Sequence, residues 1–175
     1  IKSSNRETIL SYILEANLFP LIRQRPFNKV ANPNIIPRDI FISGYNTSPL
    51  SVDIDKIIKD NKELFQLGLT ALSKLTSGEI FLTLKNKMAF EDAQVQTISG
   101  PHPAGNVGVQ IHHTKPLKPN DVIWTVNAQH VITFGKLFKT GSYDPKIIVS
   151  IGGSGASNPG IVKTRTGAKI GSFLT

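Results

Sequence analysis

An α/β domain with a largely parallel, helix-covered sheet is the fold class that this sequence predicts. Short apolar runs bounded by turn residues recur along the chain, and segments with helical spacing of apolar residues lie between them. A length of 175 residues suits one domain, which at this size buries roughly two-thirds of the surface that the unfolded chain exposes. No internal repeat or long low-complexity tract competes with that reading.

The first expected element is a helix over about 5–17. Ser4-Asn5-Arg6-Glu7 has the form of a capping box, with Ser4 accepting from the residue-7 amide and Glu7 reaching back. Ile9, Leu10, Ile13 and Leu14 then form one apolar stripe, which ends near Asn17, before Pro20. Residues 20–39 carry Pro20, Pro26, Pro33 and Pro37 with Arg23, Arg25, Lys29 and Arg38 among them. This density of proline predicts a basic surface loop with no regular element.

Asp39-Ile-Phe-Ile-Ser43, closed by Gly44, reads as a buried strand, and Asn46, Thr47, Ser48 and Pro49 as a turn after it. Asp53, Asp55 and Asp60 look like a solvated helix start. Apolar or small residues at 64, 67, 68, 71, 72 and 75 predict a helix from Asn61 to Thr76, stopped by Gly78. Glu79–Leu84 and Gln94–Ser99 are strands, as is Asp121–Val126. Asn127 caps a helix that carries Val131, Ile132, Phe134, Leu137 and Phe138 as far as Gly141. Lys146–Ile151 is the last strand of the unit expected over 1–160; a glycine-rich stretch and the strand-like Ile161–Arg165 follow. Residues 161–175 are expected to begin a following domain or a linker.

Composition narrows the chemistry. Cysteine is absent, which excludes disulfides, thiolate catalysis, iron–sulfur ligation and most structural zinc sites within this sequence. A net charge of +8 favours anionic partners such as phosphates, anionic lipid or acidic proteins. Apolar runs such as Ile147–Ile151 fall far short of the ~20 residues that span a bilayer. The sequence starts at Ile1 and its only methionine is Met88, so it reads as part of something longer.

The most distinctive segment is Gly100-Pro-His-Pro-Ala-Gly-Asn-Val-Gly-Val-Gln-Ile-His-His113. Pro101 and Pro103 restrict their own φ and that of Gly100 and His102, which predicts a stiff, extended loop. Gly105 and Gly108 suit close backbone approach or left-handed geometry. Such a loop fits a binding edge or a contact with another protein chain. His102, His112 and His113 do not have metal-ligand spacing, and the adjacent pair suits a helix C-terminus.

Ile148-Val-Ser-Ile-Gly-Gly-Ser-Gly155 superficially suggests a strand entering a phosphate-cradling loop. Asn158-Pro159-Gly160 breaks the chain where a helix should start, so a plain strand exit is the better reading. The Gly-x-Ser-x-Gly elbow is missing, as is any acid–base pair. In Arg23-Gln-Arg-Pro-Phe-Asn-Lys29, Phe27 could stack on a flat ring while Lys29 or an arginine donates to its carbonyl oxygen or to a phosphate; the simpler alternative is a basic loop facing an acidic partner. No nucleic-acid-binding pattern is present.

Several blocks together carry a resemblance. They are Arg25-Pro-Phe-Asn-Lys-Val30, Pro37-Arg-Asp-Ile-Phe-Ile-Ser43, Leu64 to Leu75 with Thr76-Ser-Gly78, Gly100-Pro-His-Pro-Ala-Gly105 and Val122-Ile-Trp-Thr-Val-Asn127. The position of His112, Val131 to Gly141, and Val162-Lys-Thr-Arg165 with Gly167-Ala168 extend the match. In order and spacing the chain resembles the A subunit of the Na+-translocating NADH:quinone oxidoreductase, with Gly100–Gly105 the most specific block.

The resemblance implies a Rossmann-like three-layer middle domain, without the lipoyl-like domain before it and most of the domains after it. It also implies a peripheral position on the cytoplasmic side of a bacterial inner membrane. The complex oxidises NADH, reduces ubiquinone and pumps Na+, with flavins and iron–sulfur centres in other subunits and no redox cofactor bound by this chain. Arg23, Arg25, Phe27 and Lys29 become candidates for contact with the quinone headgroup. Gly100, Pro101, His102, Pro103 and Gly105 become a docking or binding loop. The alternative is a free-standing nucleotide- or flavin-binding enzyme that uses the glycines at 152–155, a loop that departs from the family pattern.

Overall fold

A computed structural model of the chain describes residues 1–172. The strands are β1 (Arg23–Arg25), β2 (Lys29–Val30), β3 (Ile40–Ser43), β4 (Ile80–Leu84), β5 (Gln94–Thr97), β6 (Ile123–Asn127), β7 (Lys146–Ile151) and β8 (Gly160–Arg165). The helices are α1 (Arg6–Glu15), α2 (Ile54–Asp60), α3 (Lys62–Ser73), α4 (Val107–Thr114) and α5 (Ala128–Thr140). The central sheet has six strands in the order β2-β1-β6-β3-β4-β5. β6, β3, β4 and β5 run parallel, and β1 and β2 add an antiparallel edge.

The period of two along each strand divides the core. Ile40, Ile42, Ile80, Leu82, Leu84, Trp124 and Val126 join residues of α1, α2, α3 and α5 in the larger cluster. Phe41 and Ile123 face the other way and pack with Ile111 of α4 and the half-buried Phe81. Helices therefore cover both faces of a mostly parallel sheet, giving the Rossmann-like three-layer α/β arrangement expected.

One helix contact is unusually close. A Cβ on Gly68 of α3 would stand 2.1 Å from the Val131 carbonyl oxygen, and one on Gly135 of α5 would stand 1.8 Å from that of Leu64. Only glycine at both positions lets the two helix backbones touch.

At the amino ends of the parallel strands, Asp39 is fully buried and multiply bonded. Its Oδ2 accepts from Arg38 Nε at 2.6 Å, and its Oδ1 accepts from Lys115 Nζ at 2.8 Å and from the Glu79 amide at 3.2 Å. The Arg38 guanidinium also donates to Asp121 and to the Lys115 carbonyl. One carboxylate thus ties the starts of β3 and β4 to the segment just after α4.

Several expectations need correction. The cap of α1 is Asn5, whose Oδ1 accepts from the Thr8 amide at 2.9 Å; Asn5 stands one residue beyond Ser4 and serves a cap equally well. The stretch 20–39 does contain regular structure: β1 and β2 form a hairpin edge, because Pro20, Pro26 and Pro33 fall outside the strands. Asp55 is buried rather than solvated, accepting from the Asn86 amide at 2.9 Å and Asn86 Nδ2 at 2.7 Å, while Asp53 caps α2.

β7 forms as expected but does not join the central sheet. It pairs antiparallel with β8 from Lys146↔Arg165 to Ile151↔Gly160. Gln129 of α5 docks this hairpin through paired 2.9 Å bonds to the Ile148 amide and carbonyl. The glycines at 152–155 lie in the loop between two antiparallel strands rather than between a strand and a helix of the central sheet.

Candidate functional site

In the central sheet, β4 and β5 extend to one side of β3, whereas β6, which comes later in the chain, lies on the other. Where the order of an open α/β sheet reverses, the two connections diverge and leave a crevice beyond the strand carboxyl ends. Here that crevice has a volume of about 780 Å³. Ser43, Asn46 and Ser48 border it after β3, and Thr125, Val126, Asn127 and His130 at the β6–α5 junction.

The sheet register brings the arginines in. Arg23 lies opposite Thr125 and Arg25 opposite Ile123, so both share the α4 face with those residues. Gln24, between them, is opposite Trp124 and buried on the other face, where its Oε1 accepts from the Asn32 amide at 3.2 Å. Arg23 and Arg25 both line the crevice. Arg23 donates to the Asn28 carbonyl, and Arg25 Nε is buried without a partner. Burial, with the neighbouring Arg23 charge as the smaller cause, lowers the Arg25 guanidinium from its ordinary value.

The start of α4 forms the opposite wall, with Gly105, Asn106, Val107, Gly108 and Val109 all lining it. The Gly105 amide donates to Thr47 Oγ1 at 2.9 Å, and Ser43 Oγ donates to the Gly105 carbonyl at 3.3 Å. Gln110, also buried, donates to the same carbonyl at 3.1 Å. A Cβ on Gly105 would meet the Thr47 backbone nitrogen at 2.3 Å, so the close approach expected at this glycine is present. Gly108 is different: it lies within α4, with nothing within 4 Å of its Cβ position.

The preceding prolines do not extend the chain as expected. The Ala104 amide donates to the Pro101 carbonyl at 2.9 Å and that of Asn106 to the Pro103 carbonyl at 2.8 Å, so two successive turns fold the loop back. Gly100, Pro101, His102 and Pro103 lie exposed outside the lining, and His102 Nδ1 is 3.2 Å from Thr47 Oγ1. Phe27, 82% exposed, and the exposed Lys29 also stand outside the lining. The structure thus brings Arg23 and Arg25 together with Gly105, while the remaining candidates sit on outer surfaces. His112 and His113 occupy the last turn of α4. Among the described residues, no group of three or more His, Asp or Glu is placed to hold a metal ion.

The sequence reading missed Ser43, Asn46, Asn127 and His130. Their signal was position, since each stands at or just after the carboxyl end of β3 or β6. His130 has a second mark: Nδ1 is buried without a partner, and burial pushes the imidazole below its ordinary 6.5. The folded chain therefore favours neutral imidazole, while the unfolded chain takes up a proton near 6.5. The associated stability is complete above that pH and is lost as pH falls toward the lowered folded value. Urea midpoints should drop between about pH 7.5 and about pH 5.5, and drop less in His130→Gln. Equal drops in both proteins would remove His130 as the source.

Residues 4–143 match the family described as the NqrA second alpha/beta domain. The A subunit of Na(+)-translocating NADH-quinone reductase from Alcanivorax borkumensis is 36% identical over 178 residues, covering 99% of this chain and 40% of the relative. The protein of the same name from Vibrio atlanticus is 34% identical, covering 96% of this chain and 39% of the relative. That from Neisseria meningitidis serogroup B is 36% identical, covering 94% and 38%. The chain thus spans about 40% of the length of these curated relatives.

Proposed function

This chain belongs to the family of the NqrA second alpha/beta domain, and from that premise we propose that it serves as a peripheral, supporting domain in a Na+-translocating NADH:ubiquinone oxidoreductase. The complex would use NADH, ubiquinone, flavins, iron–sulfur centres and Na+, while this domain holds no redox group of its own and performs no catalysis in isolation. Other subunits are its partners, and the cytoplasmic side of a bacterial inner membrane is its place. No helix among the described residues is long and apolar enough to cross a membrane, in keeping with a peripheral position. In this reading residues 1–160 form the Rossmann-like unit and 161–175 lead toward a following domain, with the β7–β8 ladder straddling the joint.

Gly100, Pro101, His102, Pro103 and Gly105 form the docking loop of this proposal, held in shape by Thr47. The quinone contact is assigned to Arg23, Arg25, Phe27 and Lys29. The observation that carries it is the hairpin itself, which sets an exposed aromatic ring between cations on a two-strand edge. A flat headgroup could stack on Phe27 and accept hydrogen bonds at its carbonyl oxygens from the flanking cations.

Photo-crosslinking of a ubiquinone analogue to the assembled complex tests this contact. Label is expected on the 23–29 hairpin, with Phe27→Ala reducing it several-fold while complex assembly and thermal stability stay unchanged, because the ring is solvent-exposed. Label confined to other subunits would remove the quinone contact and leave the supporting role standing.

A further inference from the structure

We propose that the crevice between β3, β6 and α4 is a binding site for the phosphate of a small, hydroxyl-bearing phosphate ester of the glycerol phosphate class. The proposal shares Arg23 and Arg25 with the quinone contact and differs from it in placing their ligand inside the crevice, which Phe27 and Lys29 do not line.

Charge is the first argument. None of the described residues lining the crevice is Asp or Glu, yet Arg23 and Arg25 both line it. They stand two residues apart on one strand face, about 7 Å between backbones, and neither makes an ion pair among the described residues. Some partly buried cations have found carboxylates, as Arg38 does with Asp39 and Lys136 with Asp144, while Arg6 is held by the Pro33 and Ile35 carbonyls. Two guanidiniums held together without a counter-charge, one with a buried Nε lacking any acceptor, describe a place for a dianion.

Shape and lining name the rest of the ligand. About 780 Å³ is the size of a small-molecule pocket, far more than a bare phosphate fills. Opposite the arginines, the first residues of α4 border the same space; the Gly105, Asn106 and Val109 amides are bonded within the protein, so the contribution of this end is the helix dipole. The remaining polar lining includes Ser43, Asn46, Ser48, Asn106 and Asn127, neutral groups suited to hydroxyls. Among the described residues no Phe, Tyr or Trp lines the crevice, so the lining lacks the large aromatic face on which a base usually stacks. A polyol phosphate matches each of these features, whether as a soluble ester or as the headgroup of an anionic glycerolipid.

Calorimetric titration of the full-length protein with glycerol phosphate should show saturable binding, and glycerol alone should show none. Arg25→Ala is expected to weaken binding about tenfold or more, and Arg25→Lys to recover part of the loss, because charge returns without the planar fork. Lys87→Ala, at an exposed cation outside the crevice, should leave affinity within about twofold. Circular dichroism establishes that each variant is folded. Absence of saturable binding to the wild type, or equal weakening by Arg25→Ala and Lys87→Ala, would overturn the site. Phosphatidylglycerol vesicles that displace glycerol phosphate support it with a lipid headgroup as source; saturable binding undisturbed by them supports it with a soluble ester. Quinone labelling reads Phe27, outside the crevice, whereas calorimetry with glycerol phosphate reads the crevice itself, so the two failures are told apart although Arg23 and Arg25 are common to both proposals.

Discussion

Gly135→Ala is expected to lower stability by about 3 kcal/mol or more, at the upper end of what overpacking costs. A methyl group there would fall 1.8 Å from the Leu64 carbonyl oxygen, on a backbone that cannot swing away as a side chain can. The whole of α5 must shift relative to α3, and Val131, Phe134 and Leu137, buried in the same core, shift with it. For a chain of this size the change corresponds to a fall in melting temperature of roughly 6–12 °C. Gly68→Ala should behave alike, because its Cβ would stand 2.1 Å from the Val131 carbonyl oxygen. Gly108→Ala is the control: nothing lies within 4 Å of that position in the first turn of α4, and alanine favours helix over glycine by at most about 1 kcal/mol. Thermal unfolding of the three variants decides the matter, and equal melting temperatures for Gly135→Ala and Gly108→Ala would refute the close-crossing argument.

The second large effect is expected at Asp39. Its carboxylate is wholly buried, and Asp39→Ala strands the bonded groups of Arg38, Lys115 and the Glu79 amide at once. Removing one member of a buried ionic network costs about 3–5 kcal/mol, and the lower end applies here because Arg38 keeps Asp121 as a partner and the Lys115 side chain is 43% exposed. Lys115→Ala should cost much less, about 1 kcal/mol, since the lysine side chain is 43% exposed and Arg38 still faces the carboxylate. Denaturant unfolding of both variants gives the comparison. If Asp39→Ala were no worse than Lys115→Ala, the carboxylate would not be the joint between β3, β4 and the end of α4.

These two positions differ in how far the sequence announces them. Gly68 could be placed on the buried stripe of a helix from spacing alone, but its partner Gly135 lies on a different helix. That they meet is a property of the α3–α5 crossing. Asp39 opens an apolar run, which marks a strand start without revealing that Lys115 comes to meet it. Local patterns carry helix caps and strand periodicity because neighbours along the chain supply those interactions. Asn127 accepting from the Gln129 amide and Gly141 closing α5 in a left-handed conformation are of this kind.

The candidate site divides along the same line. Arg23 and Arg25 were visible as cations, but the prolines around them disguised an alternation that is a strand signal: two arginines on one face and a buried glutamine on the other. The glycines at 152–155 drew attention because a strand enters them, yet their strand lies in a hairpin outside the central sheet. The strand that does reach the reversal of sheet order, β3, leaves through Ser43-Gly44-Tyr45, with a single glycine and no fingerprint.

By itself, then, the sequence determined the α/β class, the places of most helices and strands, the absence of thiol chemistry and the family blocks. Each of these rests on composition or on contacts between residues near one another in the chain. The tertiary structure alone decided that β1 and β2 form an antiparallel edge beside β6, that β7 leaves the sheet to pair with β8, and that Arg25, Gly105 and His130 border one crevice. Strand order and register are set by burial summed over the whole core, a quantity that no local window contains.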